Sequence, residues 1–204
     1  MATEKREDRR VQRTQQLLRH ALVELILEKG YETVTVQDIT DRANVGRSTF
    51  YAHFSDKEAL LVSGFDELKK HIAECRRAAR ATRKGKDPGA LDFSLLLFEH
   101  AGSHSHLYRA MVGRESGVAI QNKMRRLVTQ LTRDDLAALA PAGGKAAGGT
   151  FEGVVHFVVG AFLGVLIWWL DSPHPLPPEE VDALFRRLAL PGIAAGLGVR
   201  QEDL

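Results

Sequence analysis

Arg47, Ser48 and Thr49 stand in a row, and together they form a set of side chains able to read the edges of base pairs. An arginine fork matches guanine O6 and N7, serine and threonine hydroxyls serve in either role, and the threonine methyl can meet that of thymine. Tyr51 and His53 follow at alternate positions, within reach of phosphate oxygens. Lys57 comes next, in the first turn of another helix, where backbone amides also favour an anion. Residues for other chemistries are missing. No G-x-S-x-G elbow, H-E-x-x-H pair or P-loop occurs. Gly143-Gly144-Lys145-Ala146 has alanine where a phosphate loop needs a hydroxyl. Cys75 falls on the apolar stripe of a helix and reads as packing. The chain is therefore expected not to be an enzyme.

The elements around Arg47 are what give those side chains a use. Leu18, Leu22, Leu25 and Ile26 share one face of a first helix over about residues 10–29, which Gly30 stops. Thr35 and Asp38 have the spacing of a capping box ahead of Val36, Ile39 and Ala43, so a second, short helix starts there. Asn44-Val45-Gly46 interrupts it, and Gly46 supplies left-handed freedom for the turn. A third helix, 47–53, places Phe50 and Phe54 inward with Val45. Ser55 and Glu58 are spaced as a second capping box, opening a fourth helix striped by Leu61, Phe65, Leu68 and Ile72 and running to about residue 82. Two short helices joined by a glycine-containing turn make a helix-turn-helix, whose second helix enters the major groove. The same pattern also suits a short helical hairpin inside an all-α core.

The run Gly30-Tyr31, Thr35-Val36-Gln37-Asp38-Ile39, Ala43 to Phe54, Asp56-Lys57-Glu58 and Leu60-Leu61 closely resembles the DNA-binding domain of the TetR family of transcriptional regulators. The resemblance covers about residues 10–65. It implies an all-α fold of about nine helices and a two-fold dimer. It sets Arg47, Ser48, Thr49, Tyr51, His53 and Lys57 at the family's DNA-contacting positions, with Thr35 and Gln37 adding phosphate contacts. The organisation expected is a helix-turn-helix domain over residues 10–70, with its motif at 35–54, and a ligand-binding and dimerisation bundle over 71–204. Gly85 to Gly89 breaks the chain after the fourth helix. The implied function is a homodimeric, ligand-responsive repressor that leaves an inverted-repeat operator when a small molecule binds the second domain.

Charge is uneven within a net value of +2. Lys5, Arg6, Arg9, Arg10, Arg13 and Arg19 make the start basic, and the first helix can begin near the DNA backbone. A second basic run lies between Lys69 and Lys86. Arg76 stands roughly 28 Å along the helix from Lys57, too far to join the footprint.

No motif marks the second half. Helices are expected near 90–101, 105–113, 115–140, 150–171 and after Pro178 to about Gly198, with a small-residue loop from Pro141 to Gly149. By the resemblance, the last two helices form the dimer. Gly153, Gly160, Ala161 and Gly164 would let partner helices approach, and Trp168 and Trp169 would supply contact area or simply core. A ligand pocket is expected among Phe93, Leu97, Phe98, Leu107, Met111, Met124, Leu127, Phe157 and Phe162, a set that serves equally as core. His100, His104 and His106 cluster, but Gly102 and Ser103 interrupt their helix and neither cysteine nor carboxylate joins them. No metal or cofactor is expected.

Residues 151–170 are apolar over nearly the length of a membrane span. Glu152 and His156 lie within them, and the all-round apolarity also describes a buried helix, the reading preferred here. One cysteine excludes an internal disulfide, and the opening residues lack a signal peptide's apolar stretch, so a cytoplasmic protein is expected.

Overall fold

The computed structural model describes residues 2–82, 90–112, 118–139, 149–173 and 176–204. All regular structure among them is helical: α1 Ala2–Lys29, α2 Val36–Ala43, α3 Arg47–His53, α4 Lys57–Thr82, α5 Phe93–Ser103, α6 Ser105–Val112, α7 Val118–Leu139, α8 Gly149–Asp171 and α9 Pro178–Leu197, with 3-10 turns at Tyr31–Thr33 and Gln201–Asp203. The expected break at 85–89, most of the expected loop at 141–149 and the side chains of Lys5, Arg6, Arg9 and Met111 lie outside what is described.

Local chemistry explains the first four boundaries. Gly30 ends α1 with φ 76, a conformation that suits glycine. Thr35 and Asp38 complete the capping box of α2 in both directions: Thr35 N donates to Asp38 Oδ2 at 2.7 Å and Asp38 N to Thr35 Oγ1 at 3.2 Å. Two details differ from the sequence reading. The left-handed residue of the turn is Asn44, at φ 50, while Gly46 is extended at φ −65. Asparagine tolerates this region because its short polar side chain bonds locally. The cap of α4 is Asp56, whose Oδ1 accepts from Ala59 N at 2.7 Å; Ser55 only donates to Asp56, at 3.0 Å. A carboxylate one residue nearer the helix outcompetes the serine hydroxyl.

α1 is the spine of the N-terminal part. Its buried Leu18, Leu22, Leu25 and Ile26 meet Val34, Ile39, Phe50, Phe54, Leu60 and Leu61 in a small core. On the surface Arg42 of α2 forks onto Glu28 (2.7 and 2.6 Å) and reaches Glu24 (3.3 Å), while Lys29 pairs with Asp38 at 2.9 Å. The C-terminal bundle centres on α8, which packs against α9, α7 and α6. Among the described residues one helix, Thr150–Asp171, is long and apolar enough to cross a membrane. Here Val155, Val158, Val159, Phe162 and Leu166 of that helix are buried in the bundle. α4 joins the two parts: Arg76 pairs with Asp135 of α7, a residue only 4% exposed.

Candidate nucleic-acid interface

α3 divides its side chains by task. Phe50 is fully buried and Phe54 nearly so, their rings 6.0 Å apart, and they fasten the helix to the core. Arg47, Ser48 and Tyr51 are exposed, Tyr51 by 53%, and Thr49 and His53 are half-buried. Tyr51 stands edge-on to Phe50 at 5.4 Å, so the buried ring steers the exposed one. Gly46 precedes α3 and puts no side chain over its start: a Cβ there would meet only Ser48 Oγ, at 3.8 Å, and Thr49 Oγ1, at 3.9 Å. The result is one short helix held rigidly by two phenylalanines, offering a guanidinium, hydroxyls and a phenol outward.

Three sequence-assigned side chains have partners within the chain. Thr35 Oγ1 belongs to the α2 cap, and Gln37 Nε2 donates to Asp41 Oδ1 at 2.6 Å. Lys57 carries the largest surprise. Its Nζ donates to the carbonyls of Tyr31 (3.0 Å), Glu32 (3.1 Å) and Val34 (2.9 Å), and lies 4.6 Å from the centre of the Tyr31 ring. An ammonium has three N–H donors, so these bonds use all of them. Lys57 thus ties the start of α4 to the 3-10 turn after α1 and fixes the angle at which α2 and α3 are presented. No spacing rule could have found this, because the acceptors are backbone carbonyls more than twenty residues away. Burial pushes the Tyr31 phenol up to about 12, helped by the carboxylates of Glu58, Glu32 and Asp56, so it stays neutral beneath the cation. Asp38 is held far below the usual carboxylate range, first by Lys29 and then by the Thr35 hydroxyl and amide, so the α2 cap stays charged.

Arg76 faces α7 rather than the α3 surface, in keeping with its exclusion from the footprint. Of the nine residues expected to line a pocket, the eight whose side chains are described, all but Met111, do not stay together. Phe93, Phe98 and Phe162 are fully buried in an aromatic cluster with Phe185, the Phe98 and Phe162 rings 4.8 Å apart. Leu97 and Leu127 are core, and Phe157 is 49% exposed. Leu107 and Met124 line a cavity whose other walls come from α1, α4 and the α5–α6 corner with His100, His104 and Tyr108. Helix periodicity marks an apolar face but does not say whether that face closes on a neighbour or on a void. The tryptophans also separate: Trp169 is buried and donates to Leu176 O at 2.8 Å, while Trp168 is 51% exposed.

Two family models match the chain: the "Bacterial regulatory proteins, tetR family" model over residues 18–63, and the "Transcriptional regulator C-terminal region" model over 90–190. Among curated relatives, an uncharacterised HTH-type transcriptional regulator of Bacillus subtilis, YxbF, is 46% identical over 59 residues, 28% of this chain and 16% of that protein. The HTH-type transcriptional repressor DhaR of a Mycobacterium species is 37% identical over 59 residues, 29% of this chain and 28% of its own. For the first of such relatives the matched stretch spans about a third or less of their own length. Among solved structures, a TetR transcriptional regulator from Streptococcus agalactiae superposes with a TM-score of 0.64 at 22% identity, over 91% of this chain and 98% of that one.

Proposed function

The chain belongs to the TetR family of DNA-binding transcriptional regulators, and on that premise we propose that it is a cytoplasmic, homodimeric repressor that holds an inverted-repeat operator and releases it when a small molecule binds. The observation that carries the reading is the division of labour on α3: Phe50 and Phe54 buried, Arg47, Ser48 and Tyr51 outward. Arg47 and Ser48 take base edges, Tyr51 and His53 take phosphates, and Lys57 sets the docking angle while adding positive charge nearby.

An exposed apolar stripe supports dimerisation. Phe157, Ile167 and Trp168 on α8 and Leu188 on α9 are all open to solvent. Gly153, Gly160 and Gly164 are exposed on α8 as well, and a Cβ at any of them would meet nothing within 4 Å. Large rings beside small residues suit close packing of a second copy's helices. Two α3 helices related by a two-fold axis would then read half-sites about 34–36 Å apart, or a multiple of that. The repressor sense is supported by the description of DhaR.

The test is a gel-shift series on the intergenic DNA upstream of the gene, at fixed salt. Arg47→Ala should lose about 10- to 100-fold and relax preference at one base position. Trp168→Asp should convert the dimer to monomer in sedimentation and lose operator binding with it. A wild-type protein that binds isolated half-sites as tightly as the full repeat would overturn the dimeric reading.

A further inference from the structure

Side chains able to carry positive charge gather where α1 and α4 face the corner between α5 and α6, and no carboxylate joins them. A cavity of about 470 Å³ separates the helices there. Arg19 and His20 line it from α1, and His100 and His104 from the end of α5. Most of the remaining wall is apolar, and among the described residues no Asp or Glu lines it. Arg19 meets the Ser63 hydroxyl at 3.4 Å and no carboxylate. His20 approaches Glu24 at 3.4 Å, but Glu24 also serves Arg42, at 3.3 Å.

His100 is the centre of the group. It is half-buried, its ring 4.5 Å from that of His104 and 5.8 Å from that of buried Tyr108 on α6. His104 Nδ1 donates to the His100 carbonyl at 3.0 Å, which keeps the two imidazoles side by side. From α4, His71 is near enough for its charge to act on His100, and its Nε2 lies 3.6 Å from Cys75 Sγ. α7 brings Met124, which carries no charge. α8 and α9 pack on the other side of α5, against Phe98 and Gly102. A proton added to His100 therefore meets other cation-forming groups and nothing to balance it. Burial, then His104 and His71, pulls His100 from its ordinary 6.5 down to about 4, so it is neutral at physiological pH. Parting the helices would let water reach the ring and return it toward 6.5. The closed arrangement thus binds fewer protons than the open one. It keeps its full stability above pH 6.5 and loses it as pH falls toward about 4.

We infer that His71, His100 and His104 form an acid-sensitive seam: uncharged, they let α1 and α4 close on the α5–α6 corner; protonated, they drive those helices off it and disturb the aim of α3. α1 and α4 carry α2 and α3 through the Arg42, Lys29 and Lys57 links. Movement at the seam therefore reaches the recognition surface directly. Histidine suits this task because modest changes in its surroundings move its charge across the range that cells experience. The seam needs DNA binding to have an effect, but it does not depend on the small-molecule release proposed above.

The experiment uses the full chain at constant ionic strength and compares wild type with His100→Phe, which keeps a ring but cannot take a proton. Between pH 7.5 and pH 5 the wild type should lose about 3–6 °C more in melting temperature than the variant. His100→Gln, equally unable to charge, carries the comparison if the phenylalanine variant does not fold. Ring-proton NMR, with the variant identifying the His100 signal, should place its midpoint well below 6.5. Equal melting losses, or a His100 midpoint near 6.5, overturn the seam. In a gel shift on the upstream intergenic DNA, the wild type should weaken several-fold from pH 7.5 to pH 5.5 relative to His100→Phe; the comparison cancels what His53 and general charge contribute. The same pH response in both proteins overturns the effect on α3. A wild type that fails to shift this DNA at pH 7.5 counts against the operator assignment, and the melts and the titration then decide the seam.

Discussion

The Arg76–Asp135 pair gives a sharp test of how α4 is held. Asp135 is 4% exposed, and its Oδ2 has no hydrogen-bond partner, so Arg76 on Oδ1 is what compensates its charge. Burial pushes the Asp135 carboxyl up even so, with Arg76 pulling it back. Replacing Arg76 by methionine keeps the stem and removes the guanidinium, which leaves a buried carboxylate alone. Such a loss costs about 3–5 kcal/mol, and taking the lower end because Arg76 is partly solvated gives about 3 kcal/mol. For a chain of this size that lowers the melting temperature by about 6–12 °C. The double change Arg76→Met with Asp135→Leu removes both charges and should recover most of the loss.

The pH sign follows from linkage. A carboxyl whose folded pKa is raised contributes stability that is full below its unfolded pKa near 3.8 and is lost as pH rises through the folded value. Arg76→Met raises that folded value further, so the deficit should be largest near pH 7–8 and shrink toward pH 5. Scanning calorimetry of the three proteins at pH 5 and pH 7.5 measures all of this. Equal destabilisation of Arg76→Met at both pH values, or a double variant no better than the single, would refute the argument that an uncompensated buried charge is the cause.

Two other outcomes are expected. Asn44→Ala should destabilise by about 1 kcal/mol because alanine resists the left-handed region, whereas Asn44→Gly should stay within about half of that; thermal melts compare them. Lys57→Met should release three carbonyls and lower both melting temperature and operator affinity, and Lys57→Arg should fail to restore either, since a planar fork cannot meet three convergent carbonyls. A Lys57→Met protein with wild-type stability and reduced affinity alone would show that the lysine acts on DNA only.

The helices and several of their edges were readable along the chain because their causes are local, although α1 starts at Ala2 rather than near residue 10. Thr35 and Asp38 bond to each other across one turn, Gly30 stops α1 by its own backbone, and Phe50 and Phe54 are four residues apart. The same locality made the α3 side chains legible, since on a helix so short the residues around two buried rings must face away from them. Tertiary structure decided whatever depends on convergence of distant segments. Lys57 meets carbonyls of the turn after α1, and Arg76 meets Asp135 from across the bundle. Phe93, Phe98 and Phe162 close into solid core, while Gly64, His100 and Tyr108, from three different helices, surround a void. Periodicity tells which face of a helix avoids water. Only the packing of one helix on another decides whether that face ends against atoms or against space.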